Sequence, residues 1–161
     1  MLVQLIYISV PAPGATEAIS KSIAQFKSKN ISCGIDTVVL ATENFFLQLI
    51  EGRREEVNAL FNKIVTDPRH TQVTLLRFQE IRKAEFNDCA MVYLNDDKVS
   101  SEYIADICTI TRVNCTQMTS SMAASIIRRA AAVVKSHSYP NRRKTDVPAL
   151  FWPVDEQMVN C

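Results

Sequence analysis

Hydrophobic and polar residues recur along the chain with two different periods, and the N-terminal part switches between them. Leu2 to Ser9 is a run of β-forming residues that ends at the break around Pro11. Residues 16–29 then carry apolar side chains at helical spacing. The apolar positions are Ile19, Ile23 and Phe26. This part of the chain therefore predicts a strand followed by an amphipathic helix.

The following residues predict a β-hairpin and a second helix. Ile35–Ala41 and Phe45–Glu51 are strand candidates joined by Thr42-Glu43-Asn44, in which asparagine accepts a positive φ. Residues 53–66 again show helical spacing, which stops at Asp67-Pro68 because proline cannot continue a helix. The apolar face of this second helix consists of Val57, Leu60, Phe61 and Ile64.

Two more strand candidates, Val73–Phe78 and Ala90–Leu94, complete a βαββαββ order. This order predicts an α+β fold with a ferredoxin-like sheet and both helices on one face. Residues 101–110 and 118–135 have helical patterns, and we expect a helical cap or a subunit interface on the other face. The stripe of the last helix consists of Met118, Met122, Ile126, Ala130 and Val133.

Length and composition set the domain organisation and exclude several classes of protein. A chain of 161 residues suits one domain with an extension, and we assign residues 1–96, 97–137 and 138–161 to a domain, a helical extension and an irregular tail. A net charge of +1 gives no basic excess for nucleic-acid binding. No apolar run is long enough to span a membrane, and we expect the apolar N-terminus to be the first strand rather than a leader, because it has no basic region and no small-residue cleavage site.

The five cysteines are odd in number and show no C-x-x-C spacing, so we expect neither a disulfide framework nor a metal site. A reducing cytoplasm is the compartment that fits this cysteine usage.

Gln48 is the single polar residue in the apolar run from Phe45 to Ile50, and its amide needs hydrogen-bond partners if it is buried. The neighbouring strand candidate carries Tyr7, and pairing of the two strands would bring its hydroxyl beside the amide. The two residues then form either a satisfied core pair or a functional constellation.

Five short motifs in order decide between these alternatives. They are LIYIS around Tyr7, Asn30-x-x-x-Gly34-Ile35, F-x-Q-x-x-E-G around Gln48, Asp67-Pro68-Arg69-His70, and Phe86-x-x-x-x-Met91. Together, over residues 2–95, they resemble the BLUF domain, a blue-light sensor that uses flavin adenine dinucleotide.

The resemblance implies a flavin between the helices of residues 16–29 and 53–66. It implies that Tyr7 is the light-driven donor of an electron and a proton, that Gln48 rearranges, and that Met91 relays the change. A phenol and an amide suit these roles, because an amide has donor and acceptor ends and can reverse its bonds without a net charge.

The resemblance also implies a set of residues that contact the cofactor, which is FAD, with FMN or riboflavin as alternatives. Asn30 would bind the ring edge, and Asp67, Arg69 and His70 would lie near the ribityl and phosphate part. The full set is Asn30, Gln48, Ile50, Lys63, Ile64, Asp67, Arg69 and His70. For three of these residues the sequence alone leaves a structural alternative, which is a helix C-terminus for Asn30, a surface imidazole for His70 and a solvated helix charge for Lys63.

The chain departs from the family pattern at two places. Cys89 replaces a tryptophan two residues before Met91, and simple packing of this cysteine is expected rather than a covalent light adduct. Asp36 and Thr37 replace the second half of a Gly-Ile-Thr-Gly motif. Thr37 adds volume near the expected pocket, and a buried, unpaired Asp36 carboxylate would be costly.

We therefore expect a flavin-binding blue-light photoreceptor that is not an enzyme. A hydrogen-bond rearrangement around Tyr7 and Gln48 would pass to the C-terminal helices, with homo-oligomerisation through residues 118–135 and a separate effector protein as expected partners. The alternative is a flavin-free interaction module, which would be colourless. No paired acid and base or phosphate-binding glycine loop supports a small enzyme.

Overall fold

The computed structural model describes residues 1–86, 92–95 and 117–138. The strands in this part of the chain are β1 (Leu2–Pro11), β2 (Asp36–Ala41), β3 (Phe46–Arg53), β4 (His70–Ile81) and β5 (Val92–Asn95). The helices are α1 (Ala15–Cys33), α2 (Arg54–Thr66) and α3 (Ser120–Ser138). The predicted βαββαββ order is confirmed, and α3 follows it.

The strands form one mixed sheet in the order β4-β1-β3-β2-β5. β1 pairs antiparallel with both β3 and β4, β2 pairs antiparallel with β3, and β2 pairs parallel with β5. The predicted β2–β3 hairpin is present. Its loop is closed by the Thr42 hydroxyl, which accepts hydrogen bonds from the backbone N–H groups of Asn44 and Phe45 at 3.2 and 3.0 Å. In this strand order β3 is the central strand, with β1 on one side and β2 on the other.

Alternate residues of the central strands face opposite sides of the sheet, and both sides are buried. α1 and α2 cover one side, where Ile19 of α1 and Val57 and Ile64 of α2 join the core. α3 lies across the other side and contacts all five strands. The predictions of two helices on one face and of a C-terminal helical cap are both confirmed.

The apolar stripe predicted for α3 is wrong at one position. Met122 is 36% exposed, whereas Ile126 and Ala130 are buried as predicted. Several small residues follow one another in this helix, so the sequence pattern allows more than one apolar face, and the close approach of alanines to the sheet selects the face. The buried face consists of Ala123, Ala124, Ile126, Ile127, Ala130 and Ala131.

Met118 is buried but precedes the helix. The helix predicted for residues 101–110, the side chain of Val133 and the tail after residue 138 lie outside the described residues. Within the described part of the chain, none of the helices has the length and apolarity needed to span a membrane.

We expect Ile127→Ala to lower the free energy of unfolding by about 2–5 kcal/mol, because it removes a fully buried side chain between α3 and the sheet. Met122→Ala, on the exposed side of the same helix, is the matched control and should change stability by roughly 0.5 kcal/mol or less. Urea unfolding followed by circular dichroism measures both. Equal effects of the two substitutions would contradict the packing of α3.

Candidate functional site

The register of the two central strands brings Tyr7 and Gln48 together. Tyr7 on β1 lies directly opposite Gln48 on β3. The Tyr7 hydroxyl donates a hydrogen bond of 2.6 Å to Oε1 of Gln48. Tyr7 is fully buried, and Gln48 keeps 9% of its surface exposed. The proximity inferred from the sequence is therefore present, on the side of the sheet that α1 and α2 cover.

The use of Oε1 by Tyr7 leaves the other end of the Gln48 amide available. Nε2 of Gln48 donates no hydrogen bond to any group in the described residues. An amide that accepts at one end and offers donors at the other fits a bound group with an acceptor atom next to this site.

Aromatic rings surround the Tyr7 phenol. The Phe61 ring lies 5.6 Å from the Tyr7 ring, and the His70 ring lies 6.0 Å from it in an edge-on orientation. Burial raises the pKa of Tyr7 far above its usual range, and the charge of Asp67 raises this pKa further. The phenol is therefore neutral at physiological pH and donates its proton to Gln48.

A bulge in the pairing of β1 with β4 lies beside Tyr7. Ile6 pairs with Arg77 and Tyr7 pairs with Leu75, so Leu76 is the extra residue on β4. A bulge of this kind increases local twist and redirects side chains. Leu76 packs into the core on the α3 side.

Asn30 lies at the end of α1, where the chain turns through Gly34 at φ 63°. The backbone N–H of Ile35 donates to the Asn30 carbonyl at 2.9 Å, which closes the helix. The Asn30 side chain is also buried and donates to the Thr37 hydroxyl at 3.2 Å. The helix-end position is therefore correct for Asn30, and the same residue directs its amide into the site.

The structure separates the two residues that depart from the family motif. Thr37 lies opposite Ile50 and is fully buried on the same side as Gln48. Asp36 lies opposite Glu51 and belongs to the other side of the sheet, where it is half-buried. Only Thr37 therefore adds volume to the site, and its hydroxyl serves as a partner for Asn30.

Asp67, Arg69 and His70 form a connected group after α2. The Arg69 guanidinium binds the Asp67 carboxylate with two donors and lies 5.2 Å from the centre of the Phe26 ring on α1. The hydrogen bond from Arg69 lowers the pKa of Asp67. His70 is half-buried, with Nδ1 at 2.9 Å from the Ser9 hydroxyl. The surface-imidazole alternative for His70 is therefore wrong, because sheet residues surround the ring.

The remaining predicted residues divide into three groups. Ile50 and Ile64 are buried in one core cluster with Tyr7. Lys63 is exposed in the last turn of α2. Met91 and Cys89 lie outside the described residues.

Three side chains lie at the site although no sequence pattern assigned them a role there, namely Phe61, Ser9 and Phe46. Phe61 contacts Tyr7, Ser9 contacts His70, and the Phe46 ring lies 5.0 Å from the His70 ring. Ser9 shares the strand face of Tyr7, and this spacing was the available signal. The contacts with His70 and α2 join segments that are distant in the chain, so local patterns contain no record of them.

No cluster of three metal-binding side chains occurs among the described residues.

Burial lowers the pKa of His70, and the nearby Arg69 lowers it further, although Asp67 acts in the opposite direction. The unfolded chain therefore takes up a proton near pH 6.5, whereas His70 in the folded chain takes it up only at a lower pH, so His70 favours unfolding as the pH falls from about 7 to 5. We expect the stability difference between wild type and His70→Gln to shrink steadily over this range, as measured by urea unfolding at several pH values. A difference that is constant or that grows toward acid would contradict this assignment.

Comparison with known protein families and solved structures finds proteins with the same fold. A family profile described as BLUF, sensors of blue light using FAD, matches residues 2–92. No curated protein matches the chain. Among solved structures, the BLUF protein BlrB in its dark state has 26% sequence identity and a TM-score of 0.69, with 82% of this chain and 96% of that chain covered.

Two larger proteins contain a similar domain. A bacterial light-regulated adenylyl cyclase has 29% identity and a TM-score of 0.64 over 80% of this chain and 40% of that chain. BlrP1 of Klebsiella pneumoniae, in a structure with FMN and cyclic diGMP, has 25% identity and a TM-score of 0.60 over 86% of this chain and 36% of that chain. Because the family profile covers more than half of the sequence, the chain belongs to the BLUF family of blue-light sensors that use FAD.

Proposed function

We propose that this protein is a flavin-binding photoreceptor whose light response is a hydrogen-bond rearrangement around Tyr7 and Gln48. The observation that carries the proposal is the 2.6 Å hydrogen bond from the Tyr7 hydroxyl to Oε1 of Gln48, which leaves Nε2 of the same amide without a partner among the described residues. A buried pair built only for stability would be expected to use both ends of the amide within the protein.

The chemistry of the side chains fits a flavin. Asn30 and Gln48 offer amide groups to the polar ring edge, and Ile50 and Ile64 supply apolar walls. Arg69 and His70 would meet the ribityl and phosphate part, and Asp67 fixes the guanidinium of Arg69. Lys63 lies in the last turn of α2, shortly before Asp67, and would add a positive charge near the phosphate part of the cofactor. FAD is the cofactor that the family description names, and FMN, which BlrP1 holds, is the alternative.

The bound flavin supplies absorption of blue light and an acceptor for an electron and a proton. Tyr7 is suited to give up both together, because its phenol is buried and neutral and already points its proton at Oε1 of Gln48. Gln48 would rotate or tautomerise in response, so that its donor and acceptor ends exchange places. Tyr7 would end as a neutral phenol again, and the protein would keep a different set of hydrogen bonds without any change in net charge.

Output passes through protein association in this proposal, as a shift between two packings of the sheet and its covering helix. Met91 is the proposed relay residue. α3 packs against the sheet, and its outer side, which includes Met122, is exposed for contact with a second copy or a separate effector. In this proposal the protein is a sensor and not an enzyme, and it acts in the cytoplasm.

The absorption spectrum before and after blue light tests the proposal. We expect a yellow protein whose flavin band moves reversibly to the red, and we expect Tyr7→Phe and Gln48→Leu to abolish the shift. Gln25→Leu, on the exposed side of α1, is the matched control and should leave the shift unchanged. If denaturation of the purified protein releases no flavin, the proposal is overturned in favour of a flavin-free interaction module.

Thr37→Val tests the contact between Thr37 and Asn30 without changing the volume of the side chain. Loss of the hydroxyl removes an orienting hydrogen bond of about 0.5–1.5 kcal/mol, so we expect the dissociation constant for FAD to rise roughly 2- to 10-fold. Thr74→Val, on an exposed part of β4, is the control. Titration of the apoprotein with FAD measures both constants. Unchanged or tighter binding by Thr37→Val would show that this hydroxyl does not serve the site.

A further inference from the structure

Glu51 is a buried carboxylate that has no part in the proposed photochemistry. It lies three residues after Gln48 on β3, and this odd spacing puts the two side chains on opposite sides of the sheet. Glu51 is fully buried, on the side that α3 covers. A buried carboxylate is strongly unfavourable unless donors surround it, so its partners reveal why it is there.

Glu51 connects the segment after β4 to the central strand through hydrogen bonds. Its Oε2 accepts hydrogen bonds from the backbone N–H groups of Glu85 and Phe86, at 2.8 and 3.0 Å. Its Oε1 accepts from Nε2 of Gln4 at 2.8 Å, and Gln4 in turn accepts from Gln79 at 3.3 Å. Three donors on two oxygens suit an acceptor-only carboxylate, and such charge-assisted bonds are strong and directional.

The same segment is in turn tied to α3. The Glu85 carboxylate binds the Arg128 guanidinium through both oxygens, with Nη2 of Arg128 at 3.0 Å from Oε2. Phe86 is buried in the same core cluster as Ile127, the neighbour of Arg128. A polar contact and an apolar contact therefore join residues 85 and 86 to the middle of α3.

We propose that Glu51 is a positioning residue that connects the strand of Gln48 to α3. The connection rests on the proposed light response and supplies its route through the sheet. A movement of β3 at Gln48 displaces Glu51, which changes its bonds to the Glu85 and Phe86 amides and thereby shifts α3. Hydrogen bonds weaken steeply with distance and angle, so a small movement of a buried carboxylate is enough to favour a second arrangement.

Hydrogen–deuterium exchange of the flavin-bound, full-length protein tests the connection in the dark and under blue light. In Glu51→Gln, an N–H₂ group replaces one acceptor oxygen, so a site with three donors becomes mismatched. We expect this variant to keep the flavin band and its red shift. We also expect the amides of residues 85 and 86 to exchange at least about tenfold faster in the dark, and the light-induced change in α3 to fall to less than half. Glu80→Gln, which breaks the exposed Arg54–Glu80 pair, is the control and should behave like wild type.

A charge swap gives a second test that leaves the buried carboxylate in place. Glu85→Arg and Arg128→Glu should each reduce the light-induced change in α3, and the double variant should restore it. Were Glu51→Gln to fail to fold, this set would decide the matter.

Four results would count against the connection. A full light response of α3 in Glu51→Gln would overturn it, as would a failure of the charge swap to restore the response. A wild-type protein with a red shift but no change in α3 would overturn it while leaving the proposed function intact. A wild-type protein without a red shift would overturn the proposed function and this connection together.

Discussion

The pairing of β1 with β3 is the constraint on which the rest of the structure depends. Their register places Tyr7 opposite Gln48 and allows the 2.6 Å hydrogen bond between them. A slip by one residue would move Tyr7 opposite a leucine and turn every side chain of one strand to the wrong side. Gln4 and Glu51 also fix this register, because they are buried directly opposite each other and share a hydrogen bond of 2.8 Å that a slip would break.

The central strand serves both sides of the sheet at once. Gln48 faces the helices α1 and α2, where polar and aromatic groups converge. Glu51 faces α3, where its carboxylate holds the segment that follows β4. Each polar group has its own set of partners in an otherwise apolar layer, so neither can change its bonds without affecting neighbours that are packed at high density. In the proposed light response, this arrangement carries a change at Gln48 to the side of the sheet that α3 covers.

The departures of this chain from the family motif have different consequences because a strand alternates. Asp36 and Thr37 are adjacent in sequence, but only Thr37 faces the candidate site, where it accepts a hydrogen bond from Asn30. The expected cost of a carboxylate in the pocket therefore does not arise. The volume added by Thr37 remains, and it is accompanied by a hydrogen-bonding partner for the asparagine that closes α1.

The sequence by itself determined the order of strands and helices, the hairpin, the two-helix face and the pairing of Tyr7 with Gln48, because short-range periodicity and motif spacing record which side of an element is buried. Only the tertiary structure decided which side of α3 is buried, which rings surround Tyr7, and that Glu51 binds the amides of Glu85 and Phe86. These contacts join segments far apart in the chain, and their partners are selected by the packing of whole elements. A local pattern contains no information about that choice, and so Met122 was predicted to be buried although it is exposed.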